Sequence, residues 1–147
     1  INPNFFDLPE VAKDLKFIFP LFAEDFITHI YEEEKMHFGY IERLHNATKN
    51  EFNPHKIFED LNQNSIQAIL NEHQEDDDEM EGIRELTNNY ELKKNSGIYT
   101  KTVYLELRKF EEDLKIHAYI ENEILFPKAL AIETEINNRL YNLSKLN

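Results

Sequence analysis

Two stretches of the chain, 88 residues apart, carry the same order of acid, histidine and aromatic. The first holds Phe22, Glu24, Asp25, His29, Tyr31, Glu33 and Phe38; the second holds Phe110, Glu112, Asp113, His117, Tyr119, Glu121 and Phe126. Seven of 17 aligned positions are identical, which marks an internal repeat. Its core is His-x-x-x-Glu. Residues four apart on a helix stand one turn above each other on the same face, so His29 with Glu33, and His117 with Glu121, each offer an imidazole and a carboxylate to one point. Two such helices facing each other make a metal cage, in which carboxylates bridge two iron or manganese ions and imidazoles cap the ends.

The elements that must position these groups are helices. The row Phe19, Phe22, Phe26, His29, Glu33, Met36, Tyr40 advances by steps of three and four, the mark of one buried helix face. Val103, Leu107, Phe110, Leu114, His117, Glu121 and Ile124 repeat that stepping. A further helix is expected over about 57–90, interrupted near 62–64, with Ile66, Leu70, His73, Asp77 and Met80 on one stripe. Leu8-Pro9-Glu10 reads as a helix entrance, Pro20 as a kink or a new start, and 46–54 as a loop. Lys93 to Gly97 supplies a terminator, and the last helix is expected to end or bend around Phe126-Pro127. With three glycines and five prolines in 147 residues, this is an all-α chain, a single domain over 1–147, folded as an up-down bundle of about four helices.

Carboxylates and imidazoles on apolar stripes must be compensated, because burying one alone costs several kcal/mol. They either pair with each other or bind cations. Three histidines (His29, His73, His117) and two glutamates (Glu33, Glu121) share one geometric scheme, which favours the metal. Two ferrous ions bring four positive charges, the glutamates return two, and an oxo, hydroxo or substrate anion balances the rest. Asp77 is a possible sixth ligand but belongs to the acidic run 72–85 and is read as part of a solvated face. Asp25 and Asp113 either hold the second ring N–H of the repeat histidines or face solvent. Tyr31 and Tyr119 are read as helix-packing aromatics, and His37, His45 and His55 as surface or loop residues, with His37 close enough to the stripe to stay a candidate.

The net charge of −13, with basic residues scattered, argues against nucleic acid and anionic membrane as partners. No apolar run reaches the ~18 residues of a membrane span, and no signal-peptide pattern opens the chain. The absence of cysteine excludes disulfides, a thiolate nucleophile and a cysteine-held cluster within these residues, and a cytoplasmic location is the expectation. Ile1 in place of methionine suggests that something upstream was removed or is not shown. The oligomeric state is not legible.

These residues resemble the hemerythrin-like, or HHE cation-binding, family, and within it the repair-of-iron-centres proteins that act on iron–sulfur clusters damaged by nitric oxide or peroxide. The likeness rests on His29-x-x-x-Glu33, on His73 in Asn71-Glu72-His73-Gln74-Glu75, on Glu85 to Asn89, and on His117-x-x-x-Glu121 followed by Asn122-Glu123-Ile124-Leu125-Phe126-Pro127. It covers roughly residues 20–130. The resemblance implies a hemerythrin-like four-helix bundle holding two iron ions in a non-haem di-iron centre, oxo-bridged in one of its forms, with manganese or zinc as substitutes in recombinant material. It assigns Glu33 and Glu121 as bridges and His29, His73 and His117 as terminal ligands. Histidines earlier in the chain also belong to that pattern, and none precedes His29 in this sequence. The implied function is iron–sulfur cluster repair in nitrosative or oxidative stress, with damaged iron–sulfur proteins as partners. The alternative is a carrier or sensor with dioxygen, nitric oxide or peroxide as its small ligand. An oxidase role is a third option without a legible substrate pocket, so whether the chain is an enzyme stays open.

Overall fold

A computed structural model describes residues 8–49, 53–75 and 78–145, apart from the side chains of 9 and 72–75. Among the described residues there is no strand, and the fold is all-α as the periodicity predicts. None of these helices is long and apolar enough to cross a membrane.

Helix α1 spans Pro9–Glu32 with Pro20 inside it, so no new helix starts there. The missing N–H there removes one intrahelical bond. Packing on both sides of it, by Ala12 and Leu15 before and by Phe22 and Phe26 after, holds the helix together. A π-helical turn, Glu33–His37, follows and leads into α2, Phe38–Thr48. Near the other end of the chain α6, Ile98–Ile120, passes through a second π turn, Glu121–Leu125, into α7, Phe126–Ser144. Of the end or bend expected around Phe126-Pro127, the end is corrected: Pro127 lies in the first turn of α7, where its missing N–H is tolerated, and the helical run continues. Each π turn opens on the glutamate of a His-x-x-x-Glu pair. Within or beside these wider turns Met36 and Ile124, expected on the buried stripes, are 60% and 40% exposed, whereas Tyr40, at the end of the first stripe, is fully buried as expected.

The stretch between the repeats is more broken than its periodicity predicts. It forms α3, Pro54–Gln63, capped by the Asn53 side chain, then α4, Ile66–Glu75, and α5, Glu81–Leu86. The break expected near 62–64 occurs at Asn64, and α2 reaches Thr48, into the loop expected over 46–54, of which 50–52 lie outside the described residues. Past α5, Asn88, Asn89 and Tyr90 are all left-handed, with φ of 50°, 56° and 58°. That conformation is tolerated by asparagine but costs a tyrosine about 1–2 kcal/mol.

The chain divides into two compact units, one made of residues 1–29 and 77–117 and the other of 30–76 and 118–147. In the first unit Ala12 and Leu15 pack with Met80, Ile83, Tyr90, Tyr104 and Leu107. Phe22 and Phe26 stack with each other and meet Phe110 edge-on at 5.9 and 5.4 Å between ring centres. The left-handed turn delivers Tyr90 to Glu111, its hydroxyl donating at 2.6 Å. Arg84 and Lys115 donate to the same carboxylate at 2.7 and 2.5 Å.

Burial alone would push the Glu111 carboxyl up, but hydrogen bonds from Lys115, Tyr90 and Arg84 outweigh it and bring the pKa down from 4.5 to about 2. The folded state thus holds this proton less tightly than the unfolded chain. The resulting stability, about 3 kcal/mol, is complete above pH ~4.5 and lost as pH falls towards ~2. Urea midpoints measured across that window should fall more steeply for the wild type than for Glu111→Gln; parallel curves would contradict the assignment.

In the second unit Tyr40, Leu44 and Ala47 of α2 pack with Ile57, Ile66, Ile69 and Leu70 and with Phe126, Ala129 and Ile136 of α7. Glu133 lies within this apolar layer. Its Oε1 accepts from the Tyr40 hydroxyl at 2.6 Å and from the Ile66 backbone N–H at 3.1 Å. Burial, and next the Glu133 carboxylate, push the Tyr40 hydroxyl well above the usual phenol range, so it remains a donor.

Candidate metal centre

Glu33 and Glu121 belong to the second unit and are 1% and 3% exposed. Each is the first residue of a π turn, a local widening of the helix that is frequent where a side chain must be re-aimed for function. His117 stands one turn before Glu121 on the same uninterrupted helical run. One potential ligand atom from each of Glu33, His117 and Glu121 lies within 4.8 Å of the other two. Two carboxylate oxygens and an imidazole nitrogen at that spacing suit a borderline divalent ion such as iron, manganese or zinc. Beside them, Asn122 has its side-chain oxygen buried with no hydrogen-bond partner. This donor set fits the metal that the repeat predicts.

Three of the five ligands expected from the sequence thus come together. His29 lies outside that triad, with its Nε2 3.8 Å from Glu79 Oε1. His73 is on α4, but its side chain lies outside the described residues, as does Asp77. Asp25 and Asp113 are exposed, which favours the solvent-facing alternative for both. Tyr31 and Tyr119 are 58% and 60% exposed, so the packing role expected for them is corrected: two residues past each histidine is about 200° around the helix, away from the buried face. Lys35 instead lies over the Tyr31 ring, 5.1 Å from its centre. His45 and His55 are exposed as expected, whereas His37, closing the first π turn, has its Nδ1 buried.

The π turns and Glu79 are what reading the sequence missed. The three-four stepping runs on past both glutamates, so it gave no signal of the turns. Glu79 carried none: it is one acid in an acidic run, and only the fold sets it apart.

The family described as hemerythrin HHE cation binding domain matches residues 4–129. Among curated proteins, the chain is 28% identical over 127 residues to the "Iron-sulfur cluster repair protein YtfE" of Escherichia coli O81 (strain ED1a), covering 86% of this chain and 52% of that protein. The proteins of the same name from Escherichia coli K12 (DH10B) and Shigella boydii serotype 18 match at the same identity and coverage. The chain spans about half the length of these curated relatives. No solved structure gives a significant match.

Proposed function

The chain belongs to the hemerythrin HHE cation binding family, and from that membership we propose that it is a non-haem di-iron protein of the iron–sulfur cluster repair type, acting under nitrosative or oxidative stress. The observation that carries this reading is the convergence of Glu33, His117 and Glu121. The names of the relatives support the repair role. The ions of the proposed centre would be held by Glu33, Glu121 and His117, with His29 and His73 as further ligands.

The residues of this chain divide the work by charge and burial. Glu33 and Glu121 bring two negative charges into a site from which water is nearly excluded, where their attraction for a divalent ion is far stronger than at the surface. His117, four residues before Glu121 on the same helix, presents a neutral donor without adding charge. Oxygen and imidazole donors, with no thiolate, hold iron less tenaciously than a cysteine site, which suits delivery to a damaged cluster. Bound iron supplies open coordination positions and a change of oxidation state, and in repair it is also the material handed over. The chain's net charge of −13 concentrates cations around it.

The test is to load the protein with ferrous iron without oxygen and mix it with a cluster protein stripped of its iron. Recovery of the cluster should outpace recovery with free ferrous iron at equal concentration. Equal rates would remove the repair role, and a long-lived oxygenated species in stopped-flow mixing would replace it with dioxygen carriage.

A further inference from the structure

We propose that Glu79 is a further metal ligand, sharing one cation with His29. The inference rests on the metal reading above and adds to it a residue that neither repeat contains.

The distance is the first reason. His29 Nε2 and Glu79 Oε1 are 3.8 Å apart, beyond a good hydrogen bond. Two donors each about 2.0–2.2 Å from one ion lie roughly 3 to 4.3 Å from each other, and the observed separation falls inside that range. An imidazole and a carboxylate are also the donor types of the Glu33, His117 and Glu121 group.

The second reason is the way the fold holds Glu79. It sits in a turn between two anchored neighbours. The carboxylate of Asp78 accepts from the Met80 backbone N–H at 3.2 Å and is bridged by Arg84. That guanidinium holds the Asp78 carboxyl below the usual carboxylate range. Arg84 also donates to the buried Glu111, so the turn is tied through α5 to α6. The Asp78 carbonyl accepts from Glu81 N–H, and the Met80 carbonyl from Arg84 N–H, each at 2.8 Å, starting α5 two residues after Glu79. A side chain on so well fixed a turn is preorganised toward its partner, as metal ligands are. The side chains of His29 and Glu79 are 28% and 33% exposed, which leaves an ion a way in from solvent.

The third reason is chemical economy. Glu79 is exposed, as Glu81 and Glu85 on α5 are, so exposure does not set it apart. Glu79 alone of these is opposed to a histidine of the repeat.

Anaerobic titration of the metal-free protein with cobalt(II), followed by its visible bands and by equilibrium dialysis, tests the proposal. The wild type should take up two equivalents. Glu79→Gln and His29→Ala should each weaken one equivalent by at least ~100-fold and leave the other near its wild-type affinity, while Glu79→His, which keeps a donor, should restore it in part. Melting of the metal-free Glu79→Gln protein should match the wild type, because the replaced side chain is partly exposed and the same shape. Two equivalents at unchanged affinity in Glu79→Gln, or loss in that variant without loss in His29→Ala, would overturn the pairing and leave the metal centre standing. A wild type that binds no cobalt would overturn the metal centre itself and this ligand with it.

Discussion

Glu33→Gln is expected to lower the iron retained after anaerobic reconstitution from two ions per chain to one or none, with affinity reduced at least ~100-fold. The substitution keeps the shape of a side chain that is only 1% exposed and removes its charge, so the helix and its π turn have no steric reason to change. An amide oxygen is a far weaker donor than a carboxylate and cannot bridge two cations with a full negative charge. Glu121→Gln should behave alike, since it holds the matching position in the second repeat, and the double variant should retain no tightly bound iron. Metal analysis by mass spectrometry, with far-ultraviolet circular dichroism to show the helices intact, is the measurement. Retention of two ions by a helical Glu33→Gln protein would remove the bridging role.

Ferrous iron should also stabilise the folded chain strongly. Ions that bind only the native state add about 4 kcal/mol when free metal exceeds the dissociation constant by ~1000-fold. For a chain of this size each kcal/mol moves the melting temperature by roughly 2–4 °C, so a shift of about 10 °C is expected. The direction follows from the site: in the unfolded chain Glu33 and Glu121 are separated by 88 residues and offer no common point, whereas the fold brings their donor atoms within 4.8 Å. Thermal melts with and without iron under argon, run beside the Glu33→Gln, Glu121→Gln double variant, check this. If the wild type shows no shift, the histidines and glutamates serve only to pair with one another inside a metal-free bundle.

Local spacing made much of the candidate site legible. His29 with Glu33 and His117 with Glu121 are four apart on helices, a geometry that any helix enforces without regard to its neighbours. The helical class was equally plain, because steps of three and four persisted through 19–40 and 103–124. The same stepping misled at Met36 and Ile124. It assumes an unbroken α-helix, and each π turn inserts extra arc after the glutamate that the stepping correctly buried.

Apolar stripes that contain an acid are ambiguous in another way. Glu111 and Glu133 are as truly buried carboxylates as Glu33 and Glu121, yet each is satisfied by a tyrosine hydroxyl at 2.6 Å, Tyr90 for the one and Tyr40 for the other. Those partners stand 21 and 93 residues away in the chain. Periodicity reports that a side chain faces inward; it carries no information on what waits there.

The sequence by itself determined that this protein is helical, that it holds two matched imidazole–carboxylate pairs, and that its charge suits cations, because each of these is a property of residues within a turn or two of one another or of simple composition. Tertiary structure alone decided which buried acids meet tyrosines and which gather around His117, and it picked Glu79 out of a run of similar acids to face His29. Those outcomes depend on contacts between segments far apart along the chain, where chain folding rather than helical period sets the distance.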